Sequence, residues 1–578
     1  MSELKRRGVL RVVLAYLAAG WLLLQIADLV FPAYGFSAEA MATLIAIVAI
    51  GIVPAAILAW VFEWTSAGLA RDSGAVVPVE RAKSMDRVII VILTIAIAYF
   101  AIDKFILDPP PPVDSDKSIA VLPFINMSSD PEQDYFSDGI SEELLNLLAG
   151  VKELRVISRS SSFAYRGDDI YVPDVSKALN VAYVLEGSVR KAGNRIRITA
   201  QLIEGRSDKH IWSETYDRTL QDVFAIQDEV SAQIIDQLRI ELIGEAPHAY
   251  RTDPETYALF LRGKQQILKS GLMGDIEGAR LMEEVVARDP DYVPALVRLS
   301  LIIWYERNNH DDSPYAGEFG ENRIIELVER ALEIDPDNAN ANTQMAWSVF
   351  FTTHDAAAAA ELFEKALKKG LGDIDVLRMV AAFAFTIGDF EACIALSRRA
   401  LARDPACVNC YNNHIDSLRH LGRLDEAEQI ARQRVALAPG GFRGLGVVLL
   451  EKGDFDAADD AFAQISYDGE RLFFQTRALY ARGDIAEFET LLSKFIDEFG
   501  ADMPWQVAIL MAMSGDEEAA FEHLNMVFGE SVDMFAFALR NPLFENLHGD
   551  PRWEHLKARA GLTDAQIAAA NFTLPDGL

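Results

Sequence analysis

Cys407-Val-Asn-Cys410 places two thiols one helical turn apart. That spacing suits a local disulfide, a redox pair or half of a tetrahedral metal site. A metal site needs two further ligands, and His414 alone is nearby in sequence, so a structural thiol pair or a Cys407–Cys410 disulfide is expected. His310-Asp-Asp312 also gathers ligating residue types and reads as a solvated loop. Gln25 and Asp28 stand inside an apolar run, where Asp28 reads as adjusting a helix end near lipid headgroups. No Ser/His/Asp order, metal-spaced cluster or phosphate-cradling loop emerges, and only 9 histidines are present. No catalytic residue, metal or cofactor is therefore expected, and the chain reads as non-enzymatic.

The elements that hold these residues must fold in two different solvents. The 578 residues carry 54 Lys+Arg against 86 Asp+Glu, a net charge of -32. Residues 1–107 hold 9 basic and 8 acidic side chains, so the acidity belongs to residues 108–578. Such a balance excludes nucleic acid as the expected partner, because phosphate binding draws on Lys and Arg.

Three apolar runs, Val12–Phe31, Met41–Phe62 and Val88–Leu107, each have about the 20 residues that a helix needs to cross a bilayer. Lys5, Arg6, Arg7 and Arg11 precede the first run, and Arg71, Arg81, Lys83 and Arg87 lie between the second and third. The positive-inside rule then predicts a bacterial inner-membrane anchor over 1–107, in contact with lipid. Its amino terminus is expected in the cytoplasm and the soluble carboxyl-terminal region in the periplasm. Pro109–Pro112 make residues 108–117 a stiff polyproline spacer.

Residues 118–243 alternate strand and helix signals and predict a small α/β domain. Ser118–Phe124 and Leu154–Ser158 read as strands, and Ser137/Asp138 as the cap of a helix carrying Leu144, Leu145 and Leu148. Ala182–Lys191 and Arg195–Glu204 read as a hairpin about Ala192-Gly193-Asn194. A further strand is expected at Ile211–Tyr216 and a helix at Val223–Leu242.

Four blocks in order, Ser118-Ile-Ala-Val-Leu-Pro-Phe124, Tyr135-Phe-Ser-Asp-Gly-Ile-Ser-Glu-Glu-Leu144, Val184-Leu-Glu-Gly-Ser-Val-Arg190 and Ile211-Trp-Ser-Glu-Thr-Tyr-Asp-Arg218, make this segment resemble the TolB amino-terminal-like (FlgO-like) family of bacterial envelope proteins. The resemblance covers about a fifth of the chain and implies a non-enzymatic α/β module, which relatives join to helical repeats. Phe136-Ser-Asp-Gly-Ile140 also looks like the strand on which cyclases place a metal-binding Asp; no matching second Asp is found, and Asp138 reads as a helix cap.

From residue 250 to 560 the chain repeats itself. Pro405 and Pro439 are 34 residues apart, and units begin near Asn340, Ile374 and Val408. Small residues recur at Ala359, Cys393 and Ala427, and glycine turns fall at Gly388 and Gly422. Later units shorten, with Gly453-Asp, Gly483-Asp and Gly515-Asp at spacings of 31, 30 and 32. About eight units are expected, with an insertion around Asn308–Gly320, and residues 561–578 form a carboxyl-terminal tail. The period and its small crossing residues resemble the tetratricopeptide repeat (TPR).

The fold class expected is therefore multi-domain: a three-helix transmembrane anchor, a small α/β domain and an all-α TPR solenoid. The resemblance to TPRs implies that first helices line a concave surface, which here includes Gln344, Ser348, Phe351, Arg378, Phe385, Asn409, Asn412, Asp416 and Arg419. Amides and arginine beside phenylalanine suit an extended peptide. The function expected is a membrane-anchored periplasmic scaffold for protein or peptide partners in the cell envelope. A transmembrane sensor relaying to a separate inner-face partner is the alternative.

Overall fold

A computed structural model of the chain describes residues 16, 48, 62–65, 68–71, 117–151, 153–167, 170–240, 248–269, 272–309, 313–315, 317–437, 441–530, 539–570 and 572–575. The chain divides into two compact units, Met1–Ser115 and Asp116–Leu578.

In the first unit, β1 (Phe62–Thr65) pairs antiparallel with β2 (Gly68–Arg71), Phe62 opposite Arg71. Tyr16 donates its hydroxyl to the Val48 carbonyl at 3.1 Å. No helix among the described residues is long and apolar enough to cross a membrane. This corrects the inner-membrane location with a cytoplasmic amino terminus and a periplasmic carboxyl-terminal region. Phe62, expected to end the second span as helix, begins a strand whose partner reverses the chain within a few residues. The rest of Val12–Phe31, Met41–Phe62 and Val88–Leu107, apart from Tyr16 and Val48, lies outside the described residues, as does the spacer up to 116.

The second unit opens with a mixed sheet. Its strands are β3 (Ser118–Val121), β4 (Ile125–Asn126), β5 (Arg155–Val156), β6 (Tyr183–Ala192), β7 (Arg195–Glu204) and β8 (Lys209–Thr219), in the order β5-β3-β6-β7-β8, with β4 also on β6. β3 runs parallel to β5 and β6, and the β6–β7–β8 meander is antiparallel. Ile196, Ile198, Ala200 and Leu202 on β7 are buried while Arg195 and Arg197 face water, the alternation expected of a half-covered strand. Helices α1 (Asp134–Ala149) and α4 (Val223–Gln237) cover one face. The short α2 (Arg159–Ser162) and α3 (Val172–Leu179) flank the other, where Ala120, Ile157, Val175 and Val184 pack together. Gly187 leaves room that a side chain would not: a Cβ there would lie 2.3 Å from the Thr199 carbonyl oxygen and 2.9 Å from the Phe124 ring.

Among the described residues eight helical hairpins follow: α5 (Pro254–Lys269) with α6 (Leu272–Arg288), α7 (Val293–Asn309) with α8 (Gly317–Ile334), α9 (Ala339–Thr353) with α10 (Ala356–Gly370), α11 (Ile374–Ile387) with α12 (Phe390–Leu401), α13 (Val408–His420) with α14 (Leu424–Leu437), α15 (Phe442–Lys452) with α16 (Phe455–Ala463), α17 (Asp468–Arg482) with α18 (Ile485–Phe499), and α19 (Pro504–Ser514) with α20 (Glu517–Glu530). Their turns follow one local rule. Gly388, Gly453, Gly483 and Gly515 take left-handed φ of 80 to 86°, which only glycine adopts without strain, and so stop the first helix. The next residue is Asp in each case, and Asp389, Asp454 and Asp516 accept hydrogen bonds from amides at the start of the second helix. Among the described residues two further short α-helices follow, α21 (Pro551–Arg559) and α22 (Asp564–Ala569).

The α/β layer and the first hairpins share one core. Phe136, Leu144, Ile198 and Phe224 belong to the same buried cluster as Tyr257, Met282, Leu296 and Leu327. The Tyr257 ring packs against Phe224 at 4.7 Å with the planes tilted by 60°, and its hydroxyl accepts from Gln227 Nε2 at 2.8 Å. Beside it, the Lys264 ammonium lies 2.8 Å from Glu142 and 2.6 Å from Glu143. Burial would raise the Glu142 carboxyl, but Lys264 and Arg159 hold it below the ordinary range.

Two further contacts tie distant segments. The start of α2 docks on the turn after α12: Ser160 and Ser161 each donate to the Asp404 carboxylate at 2.9 Å, and the amide of the capping Ser158 donates to the Arg403 carbonyl at 2.8 Å. Arg540, within the expected array, and residues 572–573 of the expected tail both pack back on the middle of the array. Arg540 donates to the carbonyls of Thr386 (3.2 Å) and Ile387 (2.7 Å), Phe572 lies 6.1 Å from Phe383, and the Thr573 amide donates to Glu364 at 2.7 Å.

Candidate functional site

The first helices of neighbouring hairpins touch one another at α7–α9, α9–α11, α11–α13, α13–α15 and α17–α19, whereas second helices pack mainly within their own hairpin and on the next first helix. Closer spacing on one side makes that side concave, so the faces of α9, α11, α13, α15 and α17 form the inner surface of a TPR-like solenoid.

The sequence-chosen residues fall into distinct environments there. Gln344 is buried and serves the fold: its Nε2 donates to the Val297 carbonyl at 3.2 Å and its Oε1 accepts from Ser300, joining α9 to α7. Phe385 is also buried, edge-on to Phe390 at 5.5 Å and to His420 at 5.3 Å. These two are withdrawn from a partner by packing. Ser348 and Phe351 are half-buried, and Phe351 stacks at 5.1 Å on Trp347. Arg378 is half-buried and reaches Asp375 of its own helix at 3.5 Å.

On α13 the row is open. Asn409 is exposed, Asn412 half-buried, and Asp416 pairs with Arg419 at 2.6 Å. Arg419 crosses to α15, its Nε donating to Glu451 at 3.0 Å. Burial would lower its guanidinium, but Asp416 and Glu451 raise it above the ordinary value, so Arg419 is a fixed cation. Arg477 of α17 completes the row. Its guanidinium lies 5.7 Å from the Phe473 ring and 5.6 Å from that of Phe474, and its Nε has no hydrogen-bond partner among the described residues. Burial, then the Arg419 charge, push it down to about 10, so it still carries its proton at neutral pH. Arg443 stands between, 3.5 Å from Glu470.

The Cys407–Cys410 pair is joined as a disulfide with the Cα atoms 5.3 Å apart. Cys407 caps α13, its sulfur accepting from the Cys410 amide at 3.3 Å. His414, one turn on, is buried and pushed down to about 4, first by burial and then by Arg398 and Arg423. Among the described residues no group of three or more His, Cys, Asp or Glu could hold a metal ion. His310–Asp312 lies outside the described residues. Asp138 is within α1 rather than at its cap, because the helix starts at Asp134, and it pairs with Arg166 at 2.7 Å.

The α/β layer matches a known family. Residues 115–238, the segment in which the four blocks fall, match the family described as HilA/YgeH-like transcriptional regulator, second domain. Over 199 residues the chain is 48% identical to "Putative adenylate cyclase 3" of Rhizobium meliloti (strain 1021). That stretch takes in 34% of this chain and 34% of the relative, so the chain spans about a third of the curated relative it matches. Among solved structures it is similar to PilF of Pseudomonas aeruginosa, at 16% identity over 37% of this chain and 94% of that one, with a TM-score of 0.29. It is also similar to PilW, a type IV pilus biogenesis factor, at 14% identity over 44% and 98% with a TM-score of 0.29. YrrB, a TPR protein, gives 17% identity over 36% and 99% with a TM-score of 0.27. At TM-scores this low the TPR-like reading stands on the chain's own hairpins.

Glu451, Arg443 and Arg477 were missed from sequence. Adding one 34-residue period to Arg419 lands on the turn glycine Gly453 once the later units shorten, so a fixed offset no longer finds the inner face. Counting back from Gly453 and Gly483, the glycines that end α15 and α17, places Glu451 and Arg477 on it.

Proposed function

We propose that this chain is a protein-binding scaffold that takes an extended peptide along the inner surface of its repeat array. The observation that supports this most directly is the continuous row from Asn409 and Asn412 through Asp416, Arg419 and Glu451 to Arg477. Asn409 and Asn412 have amides for a peptide backbone, while Arg477 has an Nε–H with no partner in the described chain. The Trp347–Phe351 stack is an apolar contact further along the same side. In this reading the α/β layer over 118–243 is the base on which the array over 250–560 is mounted.

A cyclase is the second reading to weigh, since the Rhizobium relative bears that name over the shared third. Asp138, the carboxylate of the cyclase-like stretch, is helical and held by Arg166, which favours the scaffold. The test is a photo-crosslinking residue at Asn409 in the full chain, with capture in living cells and mass spectrometry. A discrete partner is expected, weakened by R477Q. A crosslink yield no higher than from Arg432, exposed on the second helix α14, would count against the inner surface as the docking face.

A further inference from the structure

The sheet of the α/β layer ends on one side with β8, an 11-residue strand that pairs only with β7 among the described residues. The opposite edge strand, β5, has only 2 residues. A strand edge presents a row of amide hydrogens and carbonyl oxygens, which folds usually cover, shorten or bend away. Here a bulge opposite Leu202 and Ile203 bends β8 at Ile211, and beyond it Trp212–Arg218 pairs with β7 in unbroken register. Ser213, Glu214, Thr215 and Asp217 are exposed along that stretch.

The neighbouring hairpin fixes which backbone groups are open. Ala192 faces Arg195 across the two-residue turn Gly193-Asn194, so this closing pair exchanges its hydrogen bonds between β6 and β7. Alternation then directs the backbone of Ile196, Ile198, Ala200 and Leu202 to β8, where they face Arg218, Tyr216, Glu214 and Trp212. The residues between, Ser213, Thr215 and Asp217, point their N–H and C=O away from β7. Thr219 belongs to the same outward set, and its amide donates outside the ladder, to the Asp222 carboxylate at 3.1 Å.

These open groups complement themselves. Antiparallel pairing about a two-fold axis at Thr215 sets Thr215 against Thr215 of a second copy and Ser213 against Asp217 of that copy. Every outward group of the stretch is then used, in about six backbone hydrogen bonds. Opposed residues share a face. On the open face the Ser213 hydroxyl meets the Asp217 carboxylate. On the other, Arg218, fixed by Glu229 at 2.8 Å, meets the Trp212 ring, and Tyr216 meets Glu214. No like charges are opposed. An axis at Glu214 would set that carboxylate against its own copy, and an axis at Tyr216 would oppose Ser213 to Thr219, whose amide is already held. We infer that β8 is a homodimer interface, at which two copies of this chain join their sheets edge to edge through Trp212–Arg218 about Thr215. The interface belongs to the α/β layer and does not rest on the peptide-binding reading of the array.

Analytical ultracentrifugation of the full chain tests it, with dimerisation expected in the wild type. T215P deletes an amide hydrogen that β7 does not use, so the ladder survives while two hydrogen bonds at the axis are lost. Dimerisation should weaken about tenfold or more. Cysteine pairing reads the register: under copper–phenanthroline oxidation T215C should join to its own copy, whereas S213C and D217C should join only when mixed. A wild type still monomeric at about 100 μM, the same dimerisation in T215P, or T215C joining no faster than S213C alone would overturn the proposal. If T215P does not fold, the cysteine variants decide alone.

Discussion

Replacing Lys264 by methionine would take one cation from a buried triad while keeping its apolar stem. Side-chain exposure is 5% for Lys264, 11% for Glu142 and 18% for Glu143, so solvent offers the carboxylates little relief. Breaking a buried pair by removing one partner costs about 3–5 kcal/mol. Arg159, 2.9 Å from Glu142, keeps part of the compensation, which favours the lower end. About 3 kcal/mol corresponds to an opening equilibrium about 150-fold larger. Hydrogen–deuterium exchange of α1 and α5 amides in the full chain reads this directly, and protection should fall in both helices together because they share one core. The pH dependence supplies the sign. In the wild type the folded Glu142 carboxyl is depressed, so its contribution is full above the ordinary carboxylate value and is lost as the pH falls through the folded one. In K264M the Glu142 carboxylate has less compensation and protonates more readily, so the deficit relative to wild type should shrink as the pH falls towards 4. A loss below about 1 kcal/mol, or exchange confined to α5, would refute the picture of one core braced by that triad.

Three other outcomes are expected. Reduction of Cys407–Cys410 should lower stability by only about 2 kcal/mol, the chain-entropy value for so short a loop, measured as a melting shift with and without dithiothreitol. G453A should cost about 1 kcal/mol in urea unfolding: φ is 80°, yet a Cβ would meet nothing within 4 Å, so the penalty is conformational and not steric. F572A should cost about 3 kcal/mol and deprotect α11, which contributes Phe383, more than it deprotects α19; equal exchange in the two helices would contradict the tail contact.

What the sequence made legible was local. Gly388, Gly453 and Gly483, each followed by Asp, mark hairpin turns because a left-handed glycine and a capping carboxylate act within a few residues. The Arg195–Glu204 strand was legible because its alternation records which face is wet. Asp138 was misplaced by one turn, since Asp134 starts the helix without a side-chain cap to advertise it. Contacts made across long stretches of chain left no such mark. Nothing in Ser160, Ser161 or Asp404 taken singly announces their meeting, and Lys264 reads as a surface residue until Glu142 and Glu143 are folded against it. On the inner surface, Gln344 shares the periodic position of Asn412 and Phe385 that of Arg419, but both are claimed by their neighbours, a distinction that depends on packing and not on period.

A stack of hairpins in contact only with nearest neighbours melts from its ends inward. Here Arg540 and Phe572 grip α11 in the middle of the stack, so a segment synthesised more than a hundred residues later is needed to fasten what was made before. A nascent chain would hold its central hairpins loosely until residues 540–573 emerge, and loss of that segment would be felt more than a hundred residues upstream.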